Sequence, residues 1–81
     1  MTLNILFFAQ ARDRAGCSSR TLDLPAGSRV LDVIAALKAD HPGLGPLWPH
    51  LAIAVNGELA PAETPVPAGA EIALLPPVSG G

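Results

Sequence analysis

The residues best suited to chemistry lie at the carboxyl end of the chain, in the sequence LLPPVSGG (residues 74–81). Pro76 and Pro77 have no amide hydrogen and a fixed φ, so they end strand pairing and project the chain as a stiff segment. Gly80 and Gly81 have no Cβ, and they therefore fit a channel too narrow for any other residue. The Gly81 carboxylate, which is ionised at neutral pH, is the candidate reactive group.

A carboxylate becomes an acyl donor only after activation, for instance as a mixed anhydride with AMP. A sulfur donor can then displace AMP and leave a thiocarboxylate at Gly81. The sequence contains no GxxxxGKS/T phosphate loop, so we expect a separate enzyme to bind the ATP. The alternative is that Gly-Gly is simply a frayed end. The two prolines and the apolar residues before them favour a functional tail over residues 76–81.

The other reactive side chains predict no ordinary catalytic or metal site. Cys17 has no second cysteine to pair with and lies in a polar stretch, so we interpret it as a free surface thiol rather than a nucleophile. His41 and His50 each neighbour a proline and have no companion ligand at metal spacing, so they are interpreted as loop histidines. We therefore expect no metal site in this chain.

The chain has 81 residues and a formal net charge of -2, which predicts one domain over residues 1–81 with a modest core. Negative charge without clustered Lys and Arg disfavours a nucleic-acid surface and an anionic membrane surface. A single cysteine excludes an internal disulfide, and no apolar run reaches membrane-spanning length. The N-terminal stretch does not resemble a signal peptide, so a cytoplasmic location is expected.

Apolar residues at every second position predict five strands. In the first strand, Leu3, Ile5 and Phe7 are expected to face the core, whereas Leu6 and Phe8 face the other side. An Asn-Gly pair predicts a hairpin turn between the third and fourth strands. The predicted strands cover residues 3–9, 20–24, 51–55, 58–60 and 71–75, with irregular connections at residues 11–19 and 61–70.

One amphipathic helix is predicted between the second and third strands. Ser28 is expected to cap its first turn through the side-chain oxygen, and Pro42 ends it because proline cannot continue a helix. Residues 42–49 are predicted to form a covering loop. The apolar stripe of the helix consists of Val30, Val33, Ile34 and Leu37.

This order of elements predicts an α+β fold with one main helix on one face of a small mixed sheet. Pairing the first and last strands in parallel at the centre gives a β-grasp, or ubiquitin-like, arrangement. The uncovered face would then hold Leu6, Phe8, Leu59 and Leu75. These side chains either pack under residues 61–70 or form a partner-binding patch, since contiguous exposed apolar area usually marks an interface.

Two stretches, LFFAQARDRAG near the start and LLPPVSGG at the end, resemble the signature sequences of the MoaD family, the ubiquitin-like small subunits of molybdopterin synthase. The last third, NGELAPAETPVPAGAEIALLPPVSGG, is similar to the same part of that family. The resemblance covers essentially the full chain. It implies a β-grasp sulfur carrier that serves molybdenum cofactor biosynthesis.

The resemblance also implies the partners. An E1-like adenylyltransferase of the MoeB type would use ATP and Mg to form a Gly81 acyl-adenylate, and a sulfur donor protein would convert it to a thiocarboxylate. A large subunit of the MoaE type would supply the catalytic lysine and arginine groups and transfer the sulfur to cyclic pyranopterin monophosphate, which gives the molybdopterin dithiolene. The complex would be a heterotetramer, and this chain would not be an enzyme on its own. The residues that would thread into the large subunit's active site are Pro76, Pro77, Val78, Ser79 and Gly80.

By position, Phe8, Leu59 and Leu75 match hydrophobic partner contacts of the family, and Arg12 matches a basic position after the first strand. Leu75 stands where phenylalanine is common, which keeps apolar burial but removes ring stacking. Two alternatives stay open: a sulfur carrier for thiamine or a thiolated amino acid, and a ubiquitin-like modifier or binding module. The product at Gly81, a thiocarboxylate or an isopeptide bond, distinguishes the carriers from a modifier.

Overall fold

The computed structural model describes residues 1–76. Each predicted strand is present, with bounds that differ from the prediction by at most two residues. The elements follow in the order β1 (Thr2–Phe7), α1 (Ala9–Ala15), β2 (Ser19–Asp23), α2 (Val30–Asp40), a 3₁₀ helix (Pro42–His50), β3 (Ala52–Val55), β4 (Glu58–Leu59) and β5 (Glu71–Leu75).

The five strands form one mixed sheet in the order β2-β1-β5-β3-β4. The two central strands, β1 and β5, run parallel, and every other pair is antiparallel. The predicted β-grasp arrangement is therefore confirmed. The hairpin turn between β3 and β4 also forms at the predicted place, because Asn56 and Gly57 both adopt the positive φ that this tight turn requires.

The inner face of the sheet, which α2 covers, carries the core. Ile5 and Ile72 pair across the two central strands, and neither is exposed to solvent. Val30, Val33 and Leu37 of α2 are also buried, and Ile34 is partly buried beside them. The remaining inner-face residues that are at most 2% exposed are Leu3, Phe7 and Leu74.

The start of α2 differs from the prediction in its capping residue. The Ser28 hydroxyl donates to the carbonyl oxygen of Pro25 at 2.7 Å, so it closes the preceding turn instead of the helix. Asp32, in the first helical turn, accepts a hydrogen bond from the backbone N–H of Arg29 at 2.8 Å. The prediction of Ser28 as cap is wrong because the N-cap position of α2 is the next residue, Arg29.

The stretch predicted as irregular, residues 11–19, instead contains most of a second helix, α1. Gly16 ends α1 in the left-handed conformation with φ of 80°, and its N–H donates to the carbonyl oxygen of Arg12. Ala11 is fully buried, so one small apolar residue anchors the helix to the core. Seven residues are too few to be a stable helix alone, and tertiary contact must therefore stabilise α1.

The predicted covering loop is a 3₁₀ helix that packs against α1 and α2. It seals the end of the core with Leu44, which has no exposed surface, and with Leu47. A Cβ at Gly43 would lie 2.7 Å from the carbonyl oxygen of Arg14, so only glycine allows this approach to α1. Within residues 1–76, no helix has the length and apolarity needed to cross a bilayer.

Candidate functional site

The base of the predicted tail is the end of β5, one of the two central strands. Leu75 pairs with Ala52 of β3, and Pro76 follows as a half-buried residue at the point where sheet pairing ends. The strand therefore delivers the tail from the middle of the sheet rather than from an edge. The predicted tail residues Pro77, Val78, Ser79, Gly80 and Gly81 lie outside the described residues.

The sheet face opposite α2 is apolar over the half nearest to this point. Strand register places Leu6, Ala73, Ala54 and Leu59 in one row across β1, β5, β3 and β4. Leu75 lies beside that row, paired with Ala52. We call these six residues the outer patch: Leu6, Ala52, Ala54, Leu59, Ala73 and Leu75.

The outer patch is exposed only in part: Ala52 and Leu59 are exposed, Ala73 is half-buried, and Ala54 is 5% exposed. Leu59 is 72% exposed and Phe8, just beyond β1, is 45% exposed. Leu6 and Leu75 are half-buried. Residues 61–70 therefore leave Leu59 and Phe8 open to solvent, as a partner-binding patch requires.

Phe8 and Arg12 are positioned by α1, which sequence reasoning missed. Phe8 is the N-cap residue of α1, in extended conformation, and its carbonyl oxygen accepts the N–H of Ala11 at 3.0 Å. Ala9 turns the chain from β1 into α1 with φ of 48°, a left-handed value that costs free energy for any residue with a Cβ. No sequence signal marks this turn, because alanine is not a residue that favours positive φ.

Arg12 is exposed, and its guanidinium has only a loose contact with a neighbouring carboxylate. Its Nε lies 3.9 Å from Oδ1 of Asp13, and the two side chains are 58% and 74% exposed. Ion pairs this open to water contribute little to stability. Arg12 is thus available to an acidic partner group one helical turn beyond Phe8.

A polar cluster between β2 and the end of α2 has a structural role. Nη1 of Arg20 donates to Oδ2 of Asp40 at 2.9 Å and lies 3.1 Å from Nε2 of His41. The His41 ring also packs edge-on against Phe7, with ring centroids 5.2 Å apart. These contacts tie β2 to the end of α2, so His41 is a packed residue of the helix terminus rather than a loop histidine.

Two further reactive side chains, Cys17 and His50, lie outside the outer patch. Cys17 is a free thiol, but it is half-buried against the core, so its prediction as a surface residue is correct only in part. His50 is exposed at the end of the 3₁₀ helix. Among residues 1–76, no three His, Cys, Asp or Glu side chains come together in a way that could hold a metal ion.

Comparison with known proteins places this geometry in a family. The ThiS family profile matches residues 5–81. The molybdopterin synthase sulfur carrier subunit of Haemophilus influenzae is 40% identical over 81 residues, covering 98% of this chain and 99% of the relative. The subunit of the same name from Chlamydomonas reinhardtii is 32% identical over 83 residues, covering all of both chains.

Solved structures agree with the sequence comparison. The crystal structure of small archaeal modifier protein 1 from Haloferax volcanii superposes with a TM-score of 0.90 and 31% identity over all of both chains. A protein–protein complex of subunits 1 and 2 of the molybdopterin-converting factor from Helicobacter pylori contains a chain that matches with a TM-score of 0.76 and 28% identity. With the profile matching from the first strand to Gly81 and relatives aligned over their full length, the chain belongs to the ThiS/MoaD family.

Proposed function

We propose that this chain is the sulfur carrier subunit of molybdopterin synthase. The observation that supports the proposal most is the full-length identity, 40% and 32%, to two sulfur carrier subunits of that enzyme. The profile match extends through Gly81, the residue that would carry the sulfur. On this proposal the chain is not an enzyme on its own, because none of its own side chains need act on the substrate.

The chemistry takes place at the Gly81 carboxylate. A MoeB-type adenylyltransferase joins AMP from ATP to this carboxylate, with Mg bound by that enzyme, and pyrophosphate leaves. A sulfur donor protein then replaces AMP with sulfur, which leaves a thiocarboxylate at Gly81. Two charged carriers in turn each transfer one sulfur to cyclic pyranopterin monophosphate, which builds the two sulfurs of the dithiolene and, with oxygen from water, returns each Gly81 to a carboxylate.

The large subunit, of the MoaE type, would bind the outer patch together with Phe8 and receive the tail in its active site. The patch includes Leu75 at the end of β5, so a partner seated on it lies next to the point where the tail begins. Burying the exposed Leu59 and Phe8 removes apolar area from water, which favours association. Arg12, beside Phe8, would pair with an acidic group of the partner. Two small subunits and two large subunits would together form the heterotetramer.

A second candidate function is that of a protein modifier, in which Gly81 forms amide bonds with lysines of other proteins. The observation that favours it is the TM-score of 0.90 to small archaeal modifier protein 1. A modifier and a carrier share the same activation step, so the fold does not separate them. A sulfur carrier for thiamine or a thiolated amino acid is the remaining alternative, and it differs from the first proposal only in the acceptor.

The intact mass of the protein after incubation with the candidate adenylyltransferase, ATP and a sulfur donor tests the proposal. We expect a gain equal to the exchange of one oxygen for sulfur, localised to Gly81 by fragmentation. The charged carrier should then convert cyclic pyranopterin monophosphate to molybdopterin when the large subunit is present. If a thiocarboxylate forms but its sulfur is not transferred to this acceptor in the presence of the large subunit, a carrier for another pathway is favoured. If amide-linked conjugates form without a thiocarboxylate, the protein modifier is favoured.

Deletion of Gly81 provides the matched control. The shortened chain keeps the outer patch, so it should bind the large subunit with nearly unchanged affinity while forming no thiocarboxylate. Molybdopterin formation by the shortened chain would refute the role of the tail.

A further inference from the structure

A shallow groove lies on the helix side of the sheet, away from the outer patch. It has a volume of about 300 Å³. Its walls come from α2, from the end of the 3₁₀ helix and from the beginning of β3. The groove is lined by Ile34, Lys38, Trp48, Pro49, Leu51 and Ile53.

Lys38 is the single cation of this groove and the only lysine in the sequence. Its side chain is exposed, and its Nζ lies 5.9 Å from the centroid of the Trp48 ring, within the range of a cation–π contact. The ammonium group therefore lies beside the aromatic wall of the groove and is open to solvent.

We propose that Lys38 is an acceptor amine for the activated Gly81 of a second copy of this chain, with the groove seating that copy's C-terminal segment, residues 76–81. The inference rests on the proposed function for the activation of Gly81. It adds a modification site on the opposite side of the molecule from the outer patch.

The chemistry of the groove fits this segment. Extended, proline-rich peptides bind grooves lined by aromatic and apolar side chains, and the sequence PPVSGG is predicted to be such a segment. The Lys38 ammonium complements the negative Gly81 carboxylate before activation.

The other amine and the thiol of the chain are less available to an acyl donor. The amino group of Met1 is partly buried and donates to the carbonyl oxygen of Leu24 at 2.7 Å. Cys17 is half-buried against the core, and a thioester formed there would still exchange with amines. Arginine side chains remain protonated and do not act as nucleophiles. Lys38 is thus the amine at which a stable link between two copies can form.

The linking step balances without an oxidant. The Lys38 ammonium loses a proton to solvent, and its Nζ attacks the carbonyl carbon of the Gly81 acyl-adenylate. The C–N bond forms as the C–O bond to AMP breaks, and AMP leaves. The ATP used by the activating enzyme supplies the leaving group.

The first test uses the full chain and a chemically activated peptide, so that it does not depend on any activating enzyme. The peptide Pro-Pro-Val-Ser-Gly-Gly is added as an aryl thioester and compared with the permuted Val-Pro-Ser-Pro-Gly-Gly thioester. We expect acylation at Lys38 about tenfold faster with the native order, the factor that about 1.4 kcal/mol of docking provides. Equal rates for the two peptides, or preferential acylation at Met1, would overturn the proposal.

Two variants sharpen this test. Lys38→Arg keeps the charge and should remove the fast acylation. Leu51→Ala keeps the amine and widens the groove, so the native peptide should lose its advantage over the permuted one. Circular dichroism checks that Leu51→Ala remains folded, and the comparison of the two peptides on the unaltered chain does not depend on either variant.

The second test uses the activating enzyme with ATP and no sulfur donor. A species of twice the chain mass less one water, linked at Lys38 and absent from Lys38→Arg, is expected. A monomer that loses one water would mean ring closure within one chain and would refute the assignment to a second copy.

The same experiment separates the inference from the proposed function. If a thiocarboxylate forms when sulfur is supplied but no linked pair forms without sulfur, the inference fails and the proposed function stands. If the enzyme does not activate Gly81 while the peptide still selects Lys38, the proposed function fails and the acceptor site stands.

Discussion

Both faces of the sheet carry apolar side chains, but they differ in what covers them. On the inner face, Leu74 has no exposed surface because it lies within the core cluster that the sheet forms with the helices. On the outer face, Leu59 is 72% exposed, and nothing within residues 1–76 shields it. The two faces therefore differ in role. The inner side chains stabilise the chain itself, whereas exposed outer side chains such as Leu59 can contact another molecule.

The neighbours Leu74 and Leu75 give the strongest test of this contrast. Leu74→Ala leaves a cavity in the core and should lower the free energy of unfolding by about 2–5 kcal/mol. Leu75→Ala, in a half-buried position, should cost well under half as much, yet weaken binding to the large subunit. Chemical denaturation of both variants measures the first effect. Equal losses of stability would mean that the two faces are equally buried in the free chain.

Phe8 and Leu31 form a second matched pair, because each is 45% exposed. Phe8→Asp should weaken the large-subunit complex at least about tenfold, since association would bury an unpaired charge. Leu31→Asp, on α2 and away from the outer patch, should leave the affinity unchanged. Calorimetric titration with the large subunit measures both. If only Leu31→Asp weakened the complex, the proposed interface would be on the wrong face of the molecule.

A smaller effect is expected where the helix that covers the inner face begins. Asp32→Ala removes the acceptor of the Arg29 N–H and a negative charge in the first turn of α2, so it should cost about 1 kcal/mol of stability. Ser28→Ala serves as the comparison, because its hydroxyl closes the preceding turn. Thermal unfolding of the two variants would locate the cap. If Asp32→Ala loses no stability, Ser28 would again be the candidate for the residue that caps α2.

The smallest expected effect lies where β1 passes into α1, between the two faces. Ala9→Gly should raise the free energy of unfolding by about 0.5–1 kcal/mol, because glycine adopts the positive φ of this position without strain. Ala15→Gly, near the ordinary end of the same helix, is the control and should destabilise slightly. Denaturation midpoints measured in parallel resolve the two signs. A loss of stability in Ala9→Gly would show that the turn is not strained.

Strong local periodicity explains which elements were predictable. The alternation in β1 and β5 and the stripe of α2 each bury several large apolar residues, so the pattern survives in the sequence. α1 has only Ala11 buried, and a seven-residue helix with one small buried side chain leaves no recognisable stripe. The closeness of Gly43 to Arg14 shows why α1 forms. The 3₁₀ helix, which is distant in the sequence, packs against α1.

The candidate site divides in the same way. The outward positions of Leu6, Leu59 and Leu75 follow from strand parity, and the structure confirms that they share a face. The placement of Phe8 and Arg12 at the start of α1 could not be predicted, because it depends on a turn at Ala9 with no sequence signature. The grouping of Lys38 with Trp48 was equally hidden, since ten residues and a change of helix type separate them.

The sequence by itself determined the strand pattern and the amphipathic helix α2. These features depend on side-chain type and short-range spacing, which one sequence records directly. Only the tertiary structure decided which apolar residues remain exposed, how α1 carries Phe8 to the end of the patch, and where the only lysine lies. Those properties depend on contacts between segments distant in the chain, and burial is a property of the assembled sheet and helices rather than of any residue alone.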